Sequence, residues 1–111
     1  MQVFRLDGFI PESGFAFTVP TPEHARALAD GTRCFLIEDG KMLGPAESPH
    51  DTIRKAGRGA FSVWGPQVYL SASDNTDPNE NGRQYLLIAE SIGRESQMGS
   101  LLRAAERYAT L

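Results

Sequence analysis

The stretch Ala60-Phe61-Ser62-Val63-Trp64-Gly65-Pro66-Gln67-Val68-Tyr69-Leu70-Ser71-Ala72-Ser73, followed after a polar loop by Arg83-Gln84-Tyr85-Leu86-Leu87-Ile88-Ala89, decides the fold class. Val68, Leu70 and Ala72 alternate with Tyr69, Ser71 and Ser73, the two-residue period of a strand that buries one face. Gly65-Pro66 supplies a turn between the first two runs, and the polar segment from Asp74 to Gly82 separates the second from the third. Three such runs in succession predict an antiparallel meander.

Upstream, Ser48-Pro49-His50-Asp51 joins a capping residue to a proline suited to a first helical turn. It predicts a two-turn helix to Ala56, closed by Gly57, with Asp51 returning a hydrogen bond to the cap. Cys34-Phe35-Leu36-Ile37 is continuously apolar, so Thr32 to Ile37 reads as a central strand. Glu38-Asp39-Gly40-Lys41 reads as a tight turn and Met42-Leu43 as a short return strand. Val3 to Leu6 and Phe15 to Val19 have strand character and are joined through Pro11 and Gly14. Thr21-Pro22-Glu23 opens a predicted helix that Gly31 ends. Met98, Leu101, Leu102, Ala105 and Tyr108 form one stripe of a helix from Arg94 to Ala109.

These readings predict one α+β domain over residues 1–111, with an antiparallel sheet of about five or six strands. Two short helices and a C-terminal amphipathic helix packed on one face complete it. Phe4, Phe17, Phe35, Ile37, Val68, Leu70, Leu86, Ile88, Leu101 and Leu102 are the expected core.

Composition excludes some functions. Lys and Arg total 11 against 14 Asp and Glu, so the formal charge is −3, the wrong sign for displacing counterions from nucleic-acid phosphates. The lone Cys34 makes no internal disulfide and reads as a small buried hydrophobe rather than a reactive thiol. No apolar run approaches the ~20 residues that span a bilayer. The N-terminal residues lack a signal-peptide pattern, and the expected compartment is the cytoplasm.

Candidate chemistry concentrates in two places. Asp77-x-Asn79-x-Asn81-Gly82 matches the opening of a calcium loop, but Ile88 stands where the bidentate glutamate belongs. The competing reading is an ordered loop built on Asx turns from Asp74, Asn75 and Asp77, rigid Pro78 and an Asn81-Gly82 reversal. Trp64 and Tyr69 are either core or sugar-stacking platforms. Gly57-Arg58-Gly59 lacks the pattern of a phosphate loop. His24 and His50 have no metal-ligand spacing, and no serine occupies a hydrolase elbow. The expectation is a chain without catalytic residues, metal or cofactor.

Glu38 to Tyr85 reads EDGKMLGPAESPHDTIRKAGRGAFSVWGPQVYLSASDNTDPNENGRQY. It resembles a recurring segment, EDG-x-x-LGP, then S-x-H-x-x-IR-x-x-G-x-G-x-FS-x-W, then SDN-[ST]-DP-x-x-NGR-x-Y. That segment is an uncharacterised accessory portion of bacterial glycosyltransferases and sugar-polymer methyltransferases. The pattern often carries histidines where this chain has Glu47 and Val63, which weakens any role built on a histidine cluster. The resemblance implies an accessory module beside sugar-modifying enzymes.

The expected function is therefore a non-catalytic binding module. Its binding residues are His50, Arg54, Arg58, Trp64, Tyr69, Asp74, Asn75, Asp77, Asn81 and Arg83, and its partner is a glycan or a protein, with no nucleic acid and no membrane. The alternative is a small phage or mobile-element protein that inhibits a host defence complex by protein–protein binding.

Overall fold

A computed structural model describes residues 2–22 and 32–91. The chain is mostly β: among the described residues there are eight strands and one helix. In chain order these are β1 (Gln2–Leu6), β2 (Ile10–Ser13), β3 (Ala16–Pro20), β4 (Thr32–Glu38), β5 (Lys41–Met42), α1 (His50–Lys55), β6 (Phe61–Trp64), β7 (Gln67–Leu70) and β8 (Tyr85–Ser91). They form two antiparallel sheets of four strands, ordered β1-β8-β4-β5 and β2-β3-β7-β6.

The expected α+β domain with a single sheet is thus overturned, and so is the meander. β6 and β7 form the anticipated hairpin, but β8 leaves for the other sheet and pairs with β1 and β4. The reason lies in the composition of β8. Tyr85, Leu87 and Ala89 face a core shared by both sheets, while Leu86 and Ile88 join Ile37, Val3 and Phe35 on the opposite face of their own sheet. A strand apolar on both faces belongs at a sheet centre with both sides covered. A further departure is that Ile10 to Ser13, read as a connection, is an edge strand paired with β3. The predicted helix following Thr21-Pro22 and the C-terminal helix over Arg94 to Ala109 lie outside the described residues. So do Leu101, Leu102 and His24.

The shared core takes Leu6 from β1, Leu36 from β4, and Tyr85, Leu87 and Ala89 from β8. From the other sheet come Val19 on β3, Phe61 on β6, and Val68 and Leu70 on β7. The hairpin turn at Asp39-Gly40 and the strand assignments around it follow the sequence reading.

On the outer face of the second sheet, Ile53 of α1 packs against Ala16, Ala60 and Tyr69. A helix of six residues has no independent stability and depends on such contacts. Its start also differs from expectation. Pro49 precedes it without a side-chain cap, because the Ser48 hydroxyl donates to the Pro45 carbonyl at 2.7 Å and Asp51 turns toward Arg54. Its end is as read: Gly57, at φ +62°, accepts the left-handed conformation that closes the helix. A Cβ on Gly57 would collide with the Asn75 side chain. Among the described residues, no helix is long and apolar enough to cross a membrane.

Two stability effects follow. Leu87→Ala, at a fully buried position between the sheets, should cost about 2–5 kcal/mol in urea unfolding. Gly57→Ala should cost more than about 1 kcal/mol, because strain at positive φ adds to the collision with Asn75.

Candidate functional site

The residues singled out from sequence divide into two groups. His50, Arg54, Trp64 and Tyr69 come together on the outer face of the second sheet. Asp74, Asn75, Asp77, Asn81 and Arg83 lie in the loop that joins β7 to β8, with Arg58 tied to that loop through its backbone.

The first group begins with strand alternation. Phe61 enters the core and Val63 packs on it, so Ser62 and Trp64 are left on the outer face of β6, with Ser62 opposite Tyr69 of β7. His50, at the first turn of α1, stacks on Tyr69 with ring centroids 3.8 Å apart and planes 14° from parallel. Trp64 stands perpendicular to His50 at 5.3 Å. The segment before α1 covers the early part of β6: Phe61 N–H donates to the Pro45 carbonyl and Ser48 N–H to the Phe61 carbonyl. The strand edge opens beyond that point, where Trp64 retains 64% of its surface. An open groove of about 760 Å³ results, lined by Glu47, Ser48, Pro49, His50, Asp51, Arg54, Ser62, Val63 and Trp64.

Arg54 is the groove's guanidinium, and it is already engaged. Its Nε donates to Glu12 Oε1 at 2.9 Å, its Nη2 to Glu12 Oε2 at 2.6 Å, and its Nη1 to Asp51 Oδ1 at 3.1 Å. The hydrogen bond from Arg54 holds the Glu12 carboxyl below the ordinary carboxylate range. The backbone builds the pair: Phe15 N–H donates to the Arg54 carbonyl at 2.9 Å, and a Cβ on Gly14 would strike that carbonyl.

The second group surrounds Glu38, which is only 4% exposed and was read from sequence merely as part of a turn. Its Oε1 accepts the Ser73 hydroxyl at 2.6 Å, and its Oε2 accepts the Tyr85 hydroxyl at 2.7 Å and Ser73 N–H at 3.1 Å. Arg83 Nη1 approaches Oε2 at 3.5 Å while its guanidinium clasps Asp74 at 2.9 and 2.8 Å. Burial alone would raise the Glu38 carboxyl. The bonds from Ser73 and Tyr85 and the charge of Arg83 more than offset this, and it lies below the ordinary range. Burial raises the Tyr85 phenol, so this hydroxyl stays a donor. The bonds from Arg83 and Thr76 hold Asp74 well below the usual carboxylate range.

The rest of the loop is similarly occupied. Asn75 accepts from Arg58 N–H at 2.7 Å and donates to the Ala56 carbonyl at 3.2 Å. Asp77 accepts Asn79 N–H, and Asn81 spans Thr76, Tyr85 and Arg83 N–H. Asn79, read from sequence only within the Asp77-x-Asn79-x-Asn81-Gly82 match, pairs in both directions with the Phe9 backbone at 2.9 and 2.7 Å. Nothing in the loop's sequence announces that partner, 70 positions away. Asp74 and Asn81 bond mostly to side chains, where backbone partners suffice for Asn75. Among the described residues, no cluster of three His, Cys, Asp or Glu side chains has the geometry to hold a metal ion. Cys34 is half-buried, and burial followed by the charge of Glu47 raises its thiol.

Compared with protein-family models, curated proteins and solved structures, the chain matches none.

Tyr85→Phe should cost about 1–3 kcal/mol, because it leaves a buried carboxylate one donor short. Glu38 also makes stability depend on pH. Its folded value is depressed, so its contribution is present above the ordinary value of 4.5 and is lost as pH falls through the lower folded value. A melting-temperature series in acid should therefore decline, and Glu38→Gln should start lower and decline less steeply. Part of the slope should survive in that variant, since Glu12 and Asp74 are shifted in the same direction.

Proposed function

We propose that the chain is a non-catalytic binding module that takes a glycan into the groove between α1 and β6. The observation that carries this reading is Trp64. It is a large aromatic surface left 64% exposed on an open groove that Pro49 and Val63 share with the polar side chains of Glu47, Ser48, His50, Asp51, Arg54 and Ser62. An aromatic face accepts the C–H side of a sugar ring, while hydroxyls, carboxylates and an imidazole serve its polar rim. The stack of His50 on Tyr69 backs this surface and holds the groove's floor in one arrangement.

The polar loop from Ser73 to Arg83 serves as scaffold in this reading, since Ser73, Asp74, Asn75, Asn79, Asn81 and Arg83 bond within the protein. By holding the Ala56 carbonyl and Arg58 N–H, Asn75 secures the end of α1 whose beginning forms the groove. Binding rather than turnover is supported by the way the groove's Arg54 is tied to Asp51 and to Glu12. The resemblance over Glu38 to Tyr85 covers the groove, and we place the module beside sugar-polymer chemistry on that ground. The compartment we propose is the cytoplasm, consistent with a lone free cysteine.

An oligosaccharide array followed by calorimetry tests the reading. Trp64→Ala should weaken binding by about tenfold or more, the equivalent of 1.4 kcal/mol of lost stacking. At so exposed a position its melting temperature should hardly change. Absence of any glycan binding by the wild-type chain would defeat the proposal. Stoichiometric capture of a protein from the native host, unaffected by Trp64→Ala, would favour the inhibitor reading instead.

A further inference from the structure

Among the residues lining the groove, Arg54 carries the one guanidinium, the group best suited to clasp a carboxylate or sulfate on a ligand. Its fork is already filled from within. Glu12, reaching across from edge strand β2, takes Nε and Nη2, and Asp51 takes Nη1. The Arg54 and Glu12 side chains retain only 31% and 22% of their exposure, so their contact is partly sheltered from water. The pair is also built into the backbone, because the chain just after Glu12 is bonded to the Arg54 carbonyl through Phe15 N–H.

Charge points the same way. Glu12 and Asp51 flank the guanidinium and Glu47 lines the same groove, so three carboxylates stand in or beside it against one guanidinium. An anionic sugar entering the groove would meet like charge and would have to displace a carboxylate that already makes a bidentate ion pair. A neutral sugar needs only the aromatic face and the acceptors.

Resting on the glycan reading above, we infer that Glu12 sets the charge specificity of the groove. By clamping Arg54 it withholds the guanidinium, so the groove takes uncharged sugars and refuses uronates and other anionic sugars. Glu12 acts through Arg54 and is a positioning residue that need not touch the ligand.

The test uses the full chain against matched panels of neutral and uronate oligosaccharides at neutral pH and low salt. Wild type should bind a neutral oligosaccharide at least about tenfold more tightly than its uronate counterpart. Glu12→Gln removes the carboxylate charge that clamps the fork, with Asp51 still on Nη1, and should raise the uronate-to-neutral affinity ratio by about tenfold, a gain that added salt removes. Asp51→Asn should move the ratio the same way by less, and it stands in if Glu12→Gln fails to fold by circular dichroism. Wild type that binds uronates as tightly as neutral sugars would overturn the inference while leaving the glycan reading intact. So would a folded Glu12→Gln or Asp51→Asn variant whose ratio does not rise. Failure of wild type to bind any member of either panel would remove the glycan reading itself.

Discussion

A carboxylate taken out of water must be given donors, and Glu38 imposes that demand where the two sheets meet. It ends β4 in one sheet. The donors that satisfy it, Ser73 and Tyr85, stand at the exit from β7 in the other sheet and at the start of β8. Leaving such a group unpaired in a buried site costs several kcal/mol, so the chain between Ser73 and Tyr85 has little freedom to wander. Arg83 approaches Glu38 and is in turn clasped by Asp74, and Asn81 reaches the Tyr85 hydroxyl, so the loop closes around the carboxylate. A polar segment that reads in the sequence as an ordered loop of Asx turns is thereby made into a connector between sheets.

From that connector the order spreads in two directions. Asn79 clamps the backbone of Phe9, whose ring meets Tyr85 edge-on at 5.3 Å, and this fixes the chain just before β2. Asn75 clamps the turn that closes α1. β2 and α1 then face each other through Glu12 and Arg54, and α1 presents His50 to Tyr69. The groove is thus a consequence of contacts on three sides of the second sheet. None of its elements has the length to hold itself: α1 has six residues, and β2 is an exposed edge strand of four.

How much of this was legible in the sequence depended on the range of the interaction. Strands marked by alternation or an apolar run, such as Thr32 to Ile37 and the β6–β7 hairpin, were read correctly, as was the close of α1 at Gly57. Those signals are local. The partner of β8 was misassigned, because nearness in sequence favours a meander while apolarity on both faces demands a central position. That second signal was present in Tyr85 to Ala89 and outweighs the first. Glu38 also left a trace. It continues the Cys34, Leu36 parity that points into the core, so a carboxylate at that register implied a buried polar network. Glu12 left none, because its partner is 42 positions away and nothing in Ile10 to Ser13 announces it. His50, Arg54, Trp64 and Tyr69 were named individually. Their convergence depended on a fold in which α1 lies on the outer face of β6 and β7.

The distribution of satisfied and unsatisfied surface separates scaffold from site. Asp74, Asn75, Asn79, Asn81 and Arg83 in the loop are consumed by other side chains and by the backbone, and a consumed donor contributes little to recognising anything else. Exposed apolar surface behaves differently, because its cost persists until something covers it. Ile10, Phe15 and Met42 also expose apolar area, but none of them lines the groove between α1 and β6. Trp64 exposes more than any of them and does so at the rim of a concavity, beside an imidazole already held in place by Tyr69. In the glycan reading we propose, a neighbour already fixed in this way lowers the conformational freedom lost on binding, which is where preorganised sites gain affinity. The loop that closes around Glu38 also holds the end of α1 through Asn75, and the start of the same helix carries the His50 that stands against the indole.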